Sequence, residues 1–346
     1  MSEATSVGSG TLRVGFVGLG SMGVGMAGRL LASGFPTSVH NRTTAKAEPL
    51  RELGATVAAT PAEAARDVDV LFVSLANAEV VENALFGPDG AQHTLRRGAV
   101  VADTSTVSPL FATRLAERLA IRQCAALDTC VLGNAQHAKD GELRFMIGGD
   151  ADAVDRIRPA LDVLSKDVVH LGEHGMGASA KIAMNLLMGA QMQALSEAIV
   201  LGEKAGVPRA AMIKMIAASG YSSPVMRFKS GVMGRRAFAN ADFRLDLMRK
   251  DMLLALTEAS RLGVELPVTA ATNEMLRRAE SDGLGAFDCA AVLAELERMS
   301  GITGYPWPSS ASGGAPNGAP GAAGSDNGAR PGKPAAATAT TGSGPR

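Results

Sequence analysis

Short apolar runs alternate with helical patterns through the first half of the chain. We predict strands from these runs at residues 12–17, 37–41, 68–75, 99–103, 145–148 and 168–171. The run at 68–75 is apolar at almost every position, which is typical of a strand buried on both faces of a parallel sheet. Helical patterns lie between the runs, including one at residues 151–165. This alternation predicts an α/β domain.

The pattern changes to helical repeats after about residue 175. We predict a long helix from about residue 175 to 205, followed by helices at 209–218, 245–262, 268–280 and 289–299. The apolar stretch 182–201 contains polar groups such as Asn185 and Glu197. Because lipid would penalise those groups, we interpret this helix as part of a folded domain and not as a membrane span. The second half is therefore predicted to be an all-α domain.

The composition changes again beyond about Tyr305, where Pro, Gly, Ala, Ser and Thr dominate. Few apolar side chains remain there to bury, which predicts a disordered tail. The expected organisation is a disordered N-terminus at 1–11, the α/β domain at 12–174, the all-helical domain at 175–303 and the tail at 304–346.

Charge and cysteine content exclude several classes of protein. The 34 basic and 34 acidic residues give a formal net charge of zero, so we expect neither nucleic acid nor a membrane as a partner. Cys124, Cys130 and Cys289 lack the spacing of a zinc site or a disulfide framework. We therefore expect no bound metal and a location in the reducing cytoplasm. Residues 1–10 lack the basic and apolar regions of a signal peptide.

Glycines between the first strand and the first helix indicate a nucleotide site. Gly18, Gly20 and Gly23 form the pattern G-x-G-x-x-G in a strand-to-helix context. The first permits a tight turn, the second lets backbone amides approach a pyrophosphate, and the third lets helix and strand pack closely. We predict a Rossmann-type domain whose cofactor contacts here are Gly18, Leu19, Gly20, Ser21, Met22 and Gly23. The alternative is a glycine-rich turn without a ligand.

The end of the second strand bears on the choice between NAD and NADP. A dinucleotide-binding fold places its ribose-binding residue about 20 residues after the glycines, where this chain has Asn41-Arg42-Thr43. An acidic residue there would repel a 2′-phosphate, whereas the guanidinium of Arg42 can pair with it. We predict that these three residues contact NADP. NAD stays the alternative, because Arg42 could also be a solvated residue in a turn.

Lys181 and Asn185 on the long helix are candidates for the chemistry. They are four residues apart and share one helix face. Apolar neighbours would desolvate Lys181, which lowers the pKa of a lysine and prepares it for proton transfer. From spacing alone, a surface lysine stays the simpler interpretation. His170 and His174 are also four apart, but Gly172 between them argues against a helix, so we interpret both as structural.

A polar loop at residues 104–109 follows the predicted strand 99–103. Ligands of open α/β sheets bind outside the carboxyl ends of the strands, so this loop is expected to face the cofactor. Ser108 followed by Pro109 is also an ordinary helix start, and that interpretation stays open.

Together these motifs resemble those of the β-hydroxyacid dehydrogenases, which include 3-hydroxyisobutyrate dehydrogenase, tartronate semialdehyde reductase and the glyoxylate/succinic semialdehyde reductases. Residues 16–30 match the N-terminal signature of that family at every defined position. Later segments resemble its other motifs: 103–106 its D-x-S-T, 175–185 its G-x-G-x-x-x-K-x-x-x-N, 243–251 its F…K-D, and 283–288 its G-x-G-x-x-D. The resemblance covers about residues 12–300. Five motifs that follow the order of the family are more specific than any single motif.

The resemblance implies a dehydrogenase or reductase that acts on a β-hydroxy acid or semialdehyde, and Arg42 adds the preference for NADP. It implies that Lys181 is the catalytic acid/base and that Asn185 contacts the substrate. The other contacts expected from this arrangement are with the cofactor at Leu75, Thr106 and Lys250, and with the substrate at Ser105. We also expect a homo-oligomer, either a dimer or a tetramer.

One segment, which we call the substrate loop, departs from the family pattern. The family usually reads D-x-P-V-S-G-G there, whereas residues 128–134 read D-T-C-V-L-G-N. Cys130 replaces the proline, Leu132 the serine and Asn134 the second glycine, so a hydroxyl donor is lost. We predict that Leu132, Gly133 and Asn134 contact the substrate, and the change argues against a short hydroxy acid. A smaller departure is Ala76, where the family often has proline.

Two other functions stay open from the sequence. An imine reductase has a related fold but usually lacks the lysine, and the altered substrate loop keeps this alternative. A non-enzymatic dinucleotide-binding relative would also have lost the lysine. Lys181 argues against both, and a decarboxylating 6-phosphogluconate dehydrogenase would need a longer helical domain.

Overall fold

An eight-stranded sheet forms the first part of the computed structural model, which describes residues 11–309. The strands are β1 Val14–Val17, β2 Thr37–His40, β3 Thr56–Val57, β4 Val70–Val73, β5 Val100–Asp103, β6 Ala125–Leu132, β7 Leu143–Gly149 and β8 Ser165–His170. Their order is β3-β2-β1-β4-β5-β6-β7-β8. Strands β1 to β6 run parallel, β7 is antiparallel to β6, and β8 is parallel to β7. This strand order confirms the predicted Rossmann-type fold.

Burial explains why these apolar runs form the centre of the sheet. Every residue of β1, β4 and β5 is buried, as expected for strands covered on both faces. Phe16 and Phe72 stack across β1 and β4 with their ring centroids 5.8 Å apart. Two apolar clusters cover the faces of the sheet. Because β1, β4 and β5 run parallel, the loops that follow them meet at one edge of the sheet.

Helices connect the strands and differ from the prediction at one point. Within the described residues they are α1 Ser21–Ala32, α2 Glu48–Glu52, α3 Pro61–Ala64, α4 Ala78–Phe86, α5 Pro109–Ile121, α6 Ala135–Asp140, α7 Ala151–Arg156 and α8 Arg158–Leu164. The single helix predicted at 151–165 is interrupted at Ile157. The reason is Pro159, which lacks the amide that would continue the helical hydrogen bonds.

The second part of the fold is helical, which confirms the predicted all-α region. Its helices are α9 Met176–Lys204, α10 Arg209–Ala218, α11 Pro224–Arg235, α12 Leu245–Leu262, α13 Pro267–Ala279 and α14 Val292–Met299. The sequence does not predict α11, because Gly231 and Gly234 weaken its helical pattern. Burial of Val232 and Met233 in the helical core holds α11 in place.

The predicted tail begins inside the described part of the chain. Residues 1–10 and 310–346, where most of the predicted disorder falls, lie outside the described residues. Tyr305 is described, and its hydroxyl donates to Glu203 Oε1 at 2.9 Å. Its ring centroid also lies 3.8 Å from the guanidinium carbon of Arg209. Tyr305 thus packs on the helical part of the fold, and the start of the tail at residue 304 stays a prediction.

The sheet and the helices belong to one unit of the chain that ends at Ser309. The division between residues 174 and 175 therefore stays a prediction. No helix among residues 11–309 has the length and apolar character to cross a membrane.

Candidate active site

The glycine turn after β1 has the shape of a dinucleotide cradle. Gly18 has φ +101°, and a Cβ there would lie 2.2 Å from the Ser74 carbonyl oxygen. A Cβ on Gly23 would lie 2.0 Å from the Gly18 carbonyl oxygen. A Cβ on Gly20 would meet no described atom within 4 Å. The space beside Gly20, at the N-terminus of α1, therefore fits the pyrophosphate of a dinucleotide.

Asn41 ties the glycine turn to the end of β2. Its Oδ1 accepts a hydrogen bond from the Leu19 N–H at 2.9 Å. Its Nδ2 donates to the Thr43 carbonyl oxygen at 3.0 Å. Both ends of the amide therefore position the turn, a role that sequence reasoning missed. Arg42 is exposed, so its guanidinium is accessible to a phosphate.

Ser105 joins the carboxyl ends of β4 and β5. The Leu75 N–H donates to Ser105 Oγ at 2.9 Å, and the Ser105 N–H donates to Asp103 Oδ1 at 2.9 Å. Burial raises the pKa of Asp103 to about 6, against the hydrogen bonds from Ser105, which lower it. Leu75 and Ser105 therefore lie at the sheet edge where ligands of this fold bind.

Asp128 on β6 caps the N-terminus of α9. Its Oδ1 accepts from the Gly175 N–H at 3.0 Å, and its Oδ2 accepts from the Ala178 N–H at 2.9 Å. Burial raises the pKa of Asp128, and these two amide bonds oppose the shift. A Cβ on Gly177 would lie 2.4 Å from the Asp128 carbonyl oxygen, so the close approach of α9 to β6 requires glycine. Asp128 was predicted only as the start of the substrate loop.

Lys181 lies where α9 meets the substrate loop. Its Nζ donates to the Val131 carbonyl oxygen at 2.8 Å, and the residue is partly buried. Burial lowers the pKa of Lys181, while Asp251 and Cys130 oppose that shift. Lys181 is therefore held inside the fold and is not a freely solvated surface lysine.

A set of contacts, which we call the polar chain, joins α9, α12 and the loop after β5. Asn185 Nδ2 donates to Asp251 Oδ2 at 2.6 Å. Lys250 Nζ lies 2.9 Å from Asp251 Oδ1 and donates to the Thr106 carbonyl oxygen at 2.5 Å. Two predicted site residues, Asn185 and Lys250, thus meet at Asp251, which is 1% exposed. Lys250 extends the contact to a third, Thr106. Sequence reasoning missed Asp251, although its place beside Lys250 in the K-D motif was a usable signal.

Comparisons with known proteins identify the family. Residues 13–172 match a family model described as the NAD binding domain of 6-phosphogluconate dehydrogenase. Residues 175–296 match one described as NAD-binding of NADP-dependent 3-hydroxyisobutyrate dehydrogenase. The 2-(hydroxymethyl)glutarate dehydrogenase of Eubacterium barkeri is 33% identical, over 85% of this chain and 97% of its own length. The chain belongs to the β-hydroxyacid dehydrogenase family.

Solved structures agree with this assignment. A crystal structure of 3-hydroxyisobutyrate dehydrogenase from Salmonella typhimurium is 30% identical with a TM-score of 0.77, covering 82% of this chain and 99% of that one. The structure of Psf3 in complex with NADP+ and 2-OPP is 28% identical with a TM-score of 0.74, covering 82% of this chain and 99% of that one. As a β-hydroxyacid dehydrogenase, the protein is an oxidoreductase with an NAD(P)-binding domain.

Residues 128–132 of the segment named the substrate loop lie in strand β6, and only Gly133 and Asn134 follow the strand. The segment of this β-hydroxyacid dehydrogenase also has structural roles. Asn134 Oδ1 accepts from the Gln136 N–H at 3.1 Å and the His137 N–H at 3.0 Å, which caps α6. Gly133 has φ +141°, a conformation that favours glycine. Leu132 packs on an apolar cluster that includes Cys130 of β6 and residues of α5, β7 and α9. Contacts of Leu132, Gly133 and Asn134 with a substrate stay a prediction.

The structure also shows where His170 and the three cysteines lie. His170 Nε2 lies 2.7 Å from the Gly149 carbonyl oxygen. Cys124, Cys130 and Cys289 are buried and free. Among residues 11–309, no group of three or more His, Cys, Asp or Glu side chains could hold a metal ion.

Proposed function

We propose that the protein transfers a hydride between NADP and a β-hydroxy acid or the corresponding semialdehyde, with Lys181 as general acid/base. The position of Lys181 carries this proposal. Its Nζ meets the Val131 carbonyl oxygen at 2.8 Å, one helical turn before Asn185. Lys181 therefore lies between the substrate loop and the polar chain, where a substrate carbonyl can meet both.

The residues present fit this chemistry. When bound, the nicotinamide supplies the hydride that reduces a carbonyl carbon. The substrate oxygen then gains negative charge, which the Lys181 ammonium stabilises while it donates a proton from Nζ. In the direction of oxidation, the neutral amine of Lys181 accepts the hydroxyl proton. Asn185, whose Nδ2 is held by Asp251, orients the substrate.

The cofactor contacts are proposed at the glycine turn, the end of β2 and the sheet edge. They are Gly18, Leu19, Gly20, Ser21, Met22, Gly23, Asn41, Arg42, Thr43, Leu75, Thr106 and Lys250. We propose NADP over NAD because Arg42 is exposed at the position where an acidic residue would select NAD. The NADP-dependent enzyme named in the second family model and the NADP+ complex of Psf3 support this choice.

The substrate is proposed to lie between α9 and the substrate loop. Its contacts would be Ser105, Leu132, Gly133, Asn134 and Asn185. Because Leu132 offers an apolar surface and no hydroxyl donor, we propose a substrate other than a short hydroxy acid.

Replacing Lys181 with Met tests the proposal, since Met keeps the side-chain length and removes the charge and the proton. Turnover should fall about 100-fold or more on the best substrate from a panel of semialdehydes, keto acids and cyclic imines. NADPH affinity, measured by fluorescence titration, should change by less than about threefold, because the glycine turn holds most of the dinucleotide. Lys204→Met, at the exposed end of the same helix, is the matched control and should keep its turnover.

The pH profile provides a second measurement on Lys181. Reduction uses the protonated amine, so the rate should fall as pH rises through the pKa of Lys181. Burial lowers that pKa, so the fall should occur at lower pH than for an ordinary lysine. Unchanged turnover in Lys181→Met would refute the role of Lys181 as acid. Loss of NADPH binding in the same variant would instead assign Lys181 to the cofactor or the fold.

We further propose a homo-oligomer, a dimer or a tetramer, in the cytoplasm. Met184 and Leu187 on α9 are 42% and 50% exposed, which suits an interface between subunits. The three free, buried cysteines suit a reducing compartment. Sedimentation velocity measures the mass in solution, and a monomer at all concentrations would contradict the oligomer.

A further inference from the structure

A buried ion pair connects α11 to the segment before α14. Lys229 Nζ donates to Asp288 Oδ1 at 2.9 Å and to Asp288 Oδ2 at 2.7 Å. Both residues are 1% exposed. Burial lowers the pKa of Lys229, but Cys289 and Asp288 outweigh it and the pKa is raised. A buried ion pair is often no more stabilising than apolar residues of similar volume, so stability alone does not explain this one.

Asp288 also binds the main chain of the segment that leads into α12. Its Oδ2 accepts from the Asp242 N–H at 3.0 Å and the Phe243 N–H at 3.3 Å. Its Oδ1 accepts from the Ala290 N–H at 3.0 Å. A carboxylate accepts on both oxygens, whereas an amide side chain accepts on one. This arrangement therefore requires the acid.

Main-chain hydrogen bonds extend this contact into the first turn of α12. The Cys289 N–H donates to the Phe243 carbonyl oxygen at 2.8 Å, and the Leu245 N–H donates to the Phe287 carbonyl oxygen at 2.8 Å. Leu245 is the first residue of α12. Lys250 follows about 8 Å further along the helix axis. The place where α12 begins therefore sets the place of the polar chain.

We propose that Asp288, held by Lys229, is a positioning residue for hydride transfer. It fixes the start of α12 and thereby the contacts that Lys250 and Asp251 make across the active site. The inference rests on the proposed function, because the polar chain affects a rate only if this site is catalytic. It also gives the late G-x-G-x-x-D motif, residues 283–288, a physical role: the motif delivers the carboxylate.

The variant Asp288→Asn tests the proposal with the smallest change of shape. The amide side chain of this variant has one acceptor oxygen. Either the Ala290 N–H or the N–H groups of residues 242 and 243 therefore lose their hydrogen-bond acceptor. Turnover per active site should fall about tenfold or more. The Kd for NADPH should rise by less than this, because Lys250 is only one of the proposed cofactor contacts and the glycine turn is unchanged. Active sites are counted by NADPH titration, and the assay is run well below the melting temperature, so that unfolded protein does not enter the rate.

Glu297→Gln is the matched control. Glu297 is 3% exposed and pairs with Arg209 and Arg236 in the same helical part. This variant should lower the melting temperature and keep the turnover per active site. In Asp288→Asn, Lys229 keeps one acidic neighbour, since Asp242 Oδ2 lies 3.6 Å from its Nζ. If the variant nevertheless fails to fold, the double variant Lys229→Met/Asp288→Asn removes both charges of the buried pair. It should fold and still lose turnover.

Hydrogen–deuterium exchange measures the placement of α12 without any turnover. The amides of residues 242–251 should exchange faster in Asp288→Asn than in wild type or Glu297→Gln. Unchanged turnover per site in a folded Asp288 variant overturns the proposal, whether or not exchange becomes faster, because the pair would then only stabilise the fold. Full turnover in Lys181→Met would overturn the proposed function instead, and exchange would remain the separate measure of whether Asp288 places α12.

Discussion

Alanine at Gly20 and alanine at Gly23 should separate cofactor binding from folding within one turn. Gly20 has φ −73° and ψ −171°, which alanine adopts without strain, and its Cβ would meet no described atom within 4 Å. Alanine at a helix N-cap costs about 1 kcal/mol or less relative to glycine. The added methyl group would instead occupy the space proposed for the pyrophosphate. Losing two charge-assisted hydrogen bonds of about 1.5–3 kcal/mol each would weaken NADPH binding about 100-fold or more.

Gly23→Ala should have the opposite effect. Its Cβ would lie 2.0 Å from the Gly18 carbonyl oxygen, so the backbone must move. Overpacking of this kind costs about 1–3 kcal/mol. For a domain of roughly this size, each kcal/mol lowers the melting temperature by roughly 2–4 °C. A fall of several degrees is therefore expected without any cofactor present.

Two measurements on both variants decide the matter: the melting temperature of the free protein and the Kd for NADPH by fluorescence. Gly20→Ala should lower the melting temperature by about 4 °C at most and lose NADPH binding. Gly23→Ala should lower the melting temperature more. A Gly20→Ala variant that binds NADPH like wild type would refute the cradle, since its methyl group would then lie outside the ligand.

Three further changes test other parts of the site and fold. Arg42→Ala should raise the KM for NADPH about tenfold or more by removing a charge-assisted pair, and equal effects on NADPH and NADH would refute the NADP assignment. Leu132→Ser combined with Asn134→Gly should raise activity on short hydroxy acids such as 3-hydroxyisobutyrate, and an unaltered substrate profile would show that this loop does not touch the substrate. Tyr305→Ala should lower the melting temperature by several degrees with turnover kept, and Tyr305→Phe, which loses only the bond to Glu203, should lower it less. Melting temperatures identical to that of wild type would show that Tyr305 does not stabilise the fold.

Local patterns are enough to predict most of the fold. A strand covered on both faces, such as β4, must be apolar at nearly every position, so its sequence marks it. Gly23 acts through a close contact with Gly18 in the same turn, and Gly18 is needed for its positive φ, so spacing alone indicates both. The four-residue spacing of Lys181 and Asn185 also places them on one helix face. The exceptions were also local conflicts, since glycines obscured α11 and Pro159 divided a predicted helix.

Contacts between distant parts of the chain decided the rest. Asp251 meets Asn185 across 66 positions, Lys250 meets Thr106 across 144, and Tyr305 meets Glu203 across 102. Such hydrogen bonds leave no periodic trace in the sequence, because the partner of a polar side chain depends on how helices and strands pack against each other. The sequence by itself therefore determined the element types, the glycine turn and the lysine. Only the tertiary structure determined which polar groups hold that lysine and its neighbours in place.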